Sequence, residues 1–128
     1  MSIIREKLLY TRSHEWVAVE NDVARIGITD HAQSELGDLV FAEAAATGRQ
    51  VKPGQTVGAV ESVKVAADIL SPLTGEIIES QTDIGDNLEK ITADPYGVWF
   101  VAIRMSDPAE LNTLMDAKAY EAFLAAGG

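Results

Sequence analysis

Apolar positions in this chain gather in short strand-like runs punctuated by Gly, Pro, Asn or Asp. Trp16-Val17-Ala18-Val19-Glu20 and Val23-Ala24-Arg25-Ile26-Gly27-Ile28 are two such runs, separated by Asn21-Asp22. Both turn residues tolerate left-handed backbone, so a β-hairpin is predicted. The strand pattern breaks over residues 29–37, which read as a short helix. Asp30 is its expected N-cap, Gln33 at N3 would complete a capping box, and Gly37 stops it. Strand pattern resumes at Leu39-Val40-Phe41-Ala42. A strand follows the Pro53-Gly54 turn and rises toward Lys64. Its return runs over residues 65–70, is broken by Pro72 and Gly75, and gives way to a strand at Glu76-Ile77-Ile78-Glu79. Residues 98–105 form the most apolar strand candidate. Short strands punctuated every 8–12 residues or so indicate an all-β sandwich or barrel. Pro53-Gly54 and Pro72 with Gly75 also give a weak internal echo, too short to prove a repeat.

Helical pattern returns at the C-terminus. Asp107-Pro108-Ala109-Glu110 supplies an N-cap, Pro at N1 and Glu at N3, with Leu111, Leu114 and Met115 expected on one face. Asp116 can cap a second helix that buries Tyr120, Phe123 and Leu124, and residues 125–128 are expected to fray.

Composition narrows the function classes. A chain of 128 residues favours one domain, spanning 1–128, with about two thirds of its unfolded surface buried on folding. The absence of cysteine excludes disulfides, thiolate metal sites and a cysteine nucleophile. A formal charge of −10 opposes nucleic-acid binding and favours solubility. No apolar run approaches the roughly 18 residues of a membrane span. Residues 1–10 lack the apolar stretch of a secretory leader, so a cytoplasmic protein is expected. His14 and His31 have no partner at metal-ligand spacing, and no phosphate loop, dinucleotide fingerprint or nucleophile elbow is present. Asp83, Asp86, Glu89 and Asp94 fit no EF-hand spacing and read as a solvated loop.

Two places could carry chemistry. Tyr10-Thr11-Arg12-Ser13-His14-Glu15-Trp16 packs aromatics, a histidine, hydroxyls and a carboxylate just before a strand. Taken alone, it reads as strand-entry packing with a polar edge. Lys64 stands in Glu61-Ser62-Val63-Lys64-Val65, at a hairpin tip with no Gly, Asn or Pro. A type I turn accepts these residues but does not favour them at a hairpin, so something other than turn propensity places them there.

Glu61-Ser62-Val63-Lys64, the following Asp68, and Ser71-Pro72 through Gly75-Glu76 resemble the lipoyl-attachment hairpin of the glycine cleavage system H protein family. Ser13-His14-Glu15-Trp16-Val17, residues 26–33, Leu36-Gly37-Asp38, Asp94-Pro95-Tyr96-Gly97 and Ser106-Asp107-Pro108 match that family in the same order. The resemblance implies a mainly β, flattened barrel-sandwich hybrid of lipoyl/biotinyl-carrier type. A short helix would follow the first hairpin, and helices would occupy residues 107–124. Lipoic acid would be joined to Lys64 on a hairpin over residues 57–70. Glu61 and Gly75 match the positions that a lipoylating enzyme recognises. Ser13, Glu15 and Asp68 match the residues that dock the loaded aminomethyl arm. This overrides the packing reading of Ser13 and Glu15.

The implied protein is a monomeric shuttle without catalytic or metal-binding residues. It would carry the aminomethyl group from a pyridoxal-phosphate glycine decarboxylase to an aminomethyltransferase, and its dithiol to dihydrolipoyl dehydrogenase. The alternative is an H-like lipoyl carrier for lipoate relay or sulfur oxidation. The chain departs from the family pattern at residues 42–46, at Asn87-Leu88, and by one residue before Val98.

Overall fold

The structure, a computed structural model, describes residues 2–128; residue 1 of the expected 1–128 domain lies outside them. The strands are β1 (Leu9–Tyr10), β2 (Glu15–Glu20), β3 (Val23–Ile28), β4 (Leu39–Ala44), β5 (Gln50–Val51), β6 (Thr56–Ser62), β7 (Ala66–Leu70), β8 (Gly75–Ser80) and β9 (Val101–Met105). The helices are α1 (Asp30–Leu36), α2 (Leu88–Ala93) and α3 (Ala117–Ala125). One sheet has six strands in the order β1-β2-β3-β9-β8-β5, and the other has three, β4-β6-β7. The fold is therefore the expected mainly β sandwich, with two sheets that do not close into a barrel.

The predicted β2–β3 hairpin forms, with Glu20 opposite Val23 and Asn21 at φ 58°. Inward residues of both sheets make the main core. Val17, Ile26, Ile77 and Ile103 come from the large sheet, and Ala42, Val57, Val60 and Ile69 from the small one. Each fully buried aliphatic side chain contributes roughly 1.5–3 kcal/mol. The two Pro/Gly segments that echo each other in sequence also pair in space. The Gly54 N–H donates to the Ser71 carbonyl and the Ser71 N–H to the Gln55 carbonyl, both at 2.8 Å.

Four local expectations are corrected. The N-cap of α1 is Thr29, whose hydroxyl accepts from the Ala32 N–H at 3.2 Å, while Asp30 accepts from the Ile3 N–H at 2.9 Å instead. Gln33 therefore lies beyond N3, and its side-chain amide donates to the Gly37 carbonyl at 2.8 Å. The acidic stretch is helical over α2 because Leu88 and Ile91, three residues apart, turn one face to the core. Its four carboxylates remain exposed, as expected. Residues 108–113 form a 3₁₀ helix, and the chain straightens at Leu114 so that Met115 can pair with Tyr10. Leu111 and Leu114 consequently pack on the main core and Met115 on a separate aromatic cluster. The last residues do not fray: Gly127, at φ 95°, lets the Gly128 N–H reach the Phe123 carbonyl at 2.9 Å.

The aromatic cluster docks α3. Asp116 caps the helix as predicted, accepting from the Ala119 N–H at 2.8 Å. Tyr120 stacks on Tyr10 with ring centroids 4.4 Å apart. Its hydroxyl lies 2.9 Å from Thr29 Oγ1 and 2.8 Å from His14 Nδ1. Burial pushes the Tyr120 phenol up to about 12, so it keeps its proton at neutral pH. Thr29 Oγ1, the Tyr120 hydroxyl and His14 Nδ1 thus form one hydrogen-bonded chain, which a neutral His14 ring completes in either tautomer. Burial and the nearby His31 lower the His14 pKa, with Glu35 opposing, and so favour that neutral ring.

Candidate functional site

The β6–β7 hairpin carries Lys64 at its tip. Ser62 explains how a tip without Gly, Asn or Pro forms. The Ser62 N–H donates to the Val65 carbonyl at 2.8 Å, and the Ser62 hydroxyl accepts from the N–H groups of Val65 and Lys64 at 3.2 and 3.3 Å. A side-chain oxygen thus does the work of a turn residue. No left-handed backbone is needed at residues 63–65. A second brace comes from the Val63 N–H, which donates to the Asp38 carbonyl at 3.4 Å. Lys64 is exposed and forms no ion pair among the described residues. Val63 and Val65 beside it are 77% and 44% exposed.

The other end of β7 borders a cleft. Glu15, at the start of β2, is only 2% exposed. Its Oε1 accepts from the Thr11 hydroxyl at 2.5 Å and the Ser13 hydroxyl at 2.6 Å, and its Oε2 from the Leu70 N–H at 3.3 Å. Burial raises the Glu15 pKa above the ordinary carboxylate value, and the hydrogen bonds from Ser13, Thr11 and Leu70 oppose it. These residues line an open cleft of about 260 Å³, together with Pro53, Ser71, Pro72 and Leu114. The local fold is tight: the His14 N–H donates to the Thr11 carbonyl at 3.2 Å, and His14 takes φ 70°.

Ser13 and Glu15, predicted to act together, therefore meet in space. Asp68 does not line that cleft. It is exposed on β7 opposite Ala59, on the same strand face as Leu70, one two-residue repeat closer to Lys64. It lies on the strand leading from the lysine to the cleft. Glu61 is exposed on the small sheet, opposite Phe41 and Ala66. Gly75 is buried at the start of β8 in the large sheet, so the two expected recognition positions do not share a surface. A Cβ on Gly75 would lie 2.1 Å from the Arg104 carbonyl oxygen, so close strand approach alone demands glycine there. Sequence reasoning missed Thr11 and the Leu70 N–H. The signal for Thr11 was a hydroxyl four residues before a carboxylate.

The donor set suits a group attached through an amide and carrying an amine. Lys64 offers a free primary amine, and the cleft offers one nearly dry carboxylate with two hydroxyls. The sandwich thus holds one exposed lysine on a braced turn, with a cleft at the far end of the following strand.

The glycine cleavage H-protein family profile matches residues 8–127. The chain is 50% identical over 117 residues to the glycine cleavage system H protein of Phenylobacterium zucineum, covering 91% of this chain and 97% of that one. Identity to the H protein of Halorhodospira halophila is 45%, with both chains covered completely. The crystal structure of a glycine cleavage system H protein from Mycobacterium marinum superposes with a TM-score of 0.86 at 32% identity, covering 95% of this chain and 99% of that one. The chain belongs to the glycine cleavage H-protein family, whose members are lipoyl-bearing carrier components of a multienzyme system.

Proposed function

We propose that this chain is the lipoyl-carrying shuttle of glycine cleavage, with the lipoyl group on Lys64 and its cargo sheltered in the Glu15 cleft. The protein breaks no bond with its own side chains. A lipoyl group held on Lys64 would supply dithiol–disulfide chemistry. Lys64 offers its amine for acylation, which removes the side chain's charge and leaves an arm flanked by Val63 and Val65. Ser62 keeps the tip in one shape for the lipoylating enzyme, and Glu61 gives that enzyme an exposed carboxylate three residues before the lysine. Gly75 contributes through close β8–β9 approach.

At the cleft, Glu15 would hold a protonated amine by a charge-assisted hydrogen bond, with Ser13 beside it. Asp68 is an exposed carboxylate on the way from Lys64 to that site. Low water access around Glu15 would protect the cargo from hydrolysis. An amine-binding cleft favours glycine cleavage over lipoate relay or sulfur oxidation. The implied partners are glycine decarboxylase, aminomethyltransferase, dihydrolipoyl dehydrogenase and a lipoylating enzyme, met by a monomeric, cytoplasmic carrier. No helix among the described residues is long and apolar enough to cross a membrane.

The observation that carries this reading is the pairing, along one strand, of an exposed braced lysine with a buried, hydroxyl-bonded carboxylate. Peptide mapping after expression with a lipoylating enzyme tests it. The lipoyl increment is expected on Lys64 alone; an unmodified Lys64 or a different modified lysine contradicts the assignment.

A further inference from the structure

We propose that Thr11 is the positioning residue of the cleft: Thr11, rather than Ser13, fixes the Glu15 carboxylate and leaves Oε2 to take the cationic cargo. This rests on the reading of the cleft as the cargo's shelter. Each hydroxyl has one hydrogen to give. Thr11 gives its hydrogen to Glu15 Oε1 at 2.5 Å and Ser13 gives its own to the same oxygen at 2.6 Å. The 3.3 Å approach between the two hydroxyls therefore carries no hydrogen. The only partner of Oε2 among the described residues is the Leu70 N–H, at 3.3 Å, which leaves acceptor capacity on that oxygen.

The two hydroxyls differ in how firmly they are held. Thr11 Oγ1 accepts from the Glu15 N–H at 3.0 Å, and the Thr11 N–H donates to the Glu15 carbonyl at 3.0 Å. The preceding residue, Tyr10, is tied to Met115 by backbone bonds of 2.7 and 2.9 Å. A β-branched side chain is also stiff at χ1. Ser13 is exposed, and among the described residues its side chain has no hydrogen-bond partner beyond Glu15 and Thr11. Ser13 can turn a lone pair toward an ammonium without releasing the carboxylate, because Thr11 still holds Oε1.

The test titrates the Glu15 carboxyl by carbon NMR in lipoylated protein carrying Thr11→Val, Thr11→Ser or Ser13→Ala. It also follows ammonia release after loading with glycine and the decarboxylase. Losing a hydrogen bond to the charged form raises a carboxyl's midpoint. Thr11→Val is expected to raise the midpoint by about one unit and to speed ammonia release several-fold. Thr11→Ser should restore both. Ser13 makes the larger hydroxyl contribution in the folded geometry, yet it is exposed and water can replace it, so Ser13→Ala should move the midpoint less than Thr11→Val does. An unmoved midpoint in Thr11→Val, or an equal shift in Ser13→Ala, overturns the proposal. A moved midpoint without faster release keeps Thr11 as the anchor of Glu15 and overturns the cargo reading on which it rests.

Discussion

The hairpin tip and the cleft sit at opposite ends of β7 and are built in opposite ways. At the tip, Lys64 has no ion pair among the described residues and is flanked by exposed valines, and the turn is held by one serine hydroxyl and backbone bonds. At the cleft, Glu15 is nearly dry, holds hydroxyl donors from two residues and stands next to His14, which is tied to Tyr120 and through it to Thr29. A group that several enzymes must reach needs exposure and a constant shape. A group that must retain a hydrolysable cargo needs fixed donors and little water. One strand joins the two requirements.

The largest effect expected separates the two recognition positions that sequence reasoning had paired. Gly75→Ala should destabilise the fold by about 3 kcal/mol or more, because its Cβ meets backbone that cannot move cheaply. Glu61→Gln, on an exposed strand face, should leave the melting temperature within about 2 °C and slow only lipoylation. Comparable melting temperatures for the two variants would mean that Gly75 is not held by packing.

Tyr120→Phe should cost about 1–3 kcal/mol, since it leaves the fully buried Thr29 hydroxyl and His14 Nδ1 without a shared partner. Denaturant unfolding measures this. A loss no greater than that of Phe123→Leu would remove the hydrogen-bonded chain as the tie between α3 and the cleft loop.

The pH dependence sharpens the contrast further. The folded-state pKa of His14 is depressed from 6.5, so the unfolded chain takes up the proton first. The stability that neutral His14 contributes is present above pH 6.5 and is lost as pH falls through the lower folded value. Glu15 works in the opposite sense. Its folded-state pKa is raised above 4.5, so its contribution is present below 4.5 and is lost as pH rises through the folded value. Glu15→Gln should therefore be more stable than the parent at pH 7, with the gap closing toward pH 4.5, and should hold its cargo less well. A destabilised Glu15→Gln at pH 7 would contradict the burial penalty assigned to the carboxylate.

The smallest effect concerns the tip. Ser62→Ala should lower stability by about 1 kcal/mol yet reduce lipoylation, since the shape around Lys64 loosens.

Much of this was legible in the sequence because short apolar runs and turn residues are local signals. The β2–β3 hairpin, the Asp116 cap and the Lys64 hairpin all followed from residues a few positions apart. The misreadings came where tertiary partners decide. Asp30 lost the cap because Thr29, locked against Tyr120 from 91 residues away, puts its hydroxyl there instead. Carboxylates at Asp83, Asp86, Glu89 and Asp94 run through and around α2, so its two core-facing residues, Leu88 and Ile91, did not register as helical. Glu15 and Ser13 were nameable from family resemblance. The role of the Leu70 N–H depends on folding β7 against the 11–14 loop, which no local pattern reveals, whereas Thr11 stands only four residues before Glu15.

The central claim is that Lys64 alone carries the transferable group. Glycine-dependent NADH formation by the lipoylated protein with the decarboxylase, the aminomethyltransferase and dihydrolipoyl dehydrogenase tests it most directly. The parent should support turnover, and Lys64→Arg, equally folded and still cationic, should support none. Turnover by Lys64→Arg at a rate near the parent's would contradict the account.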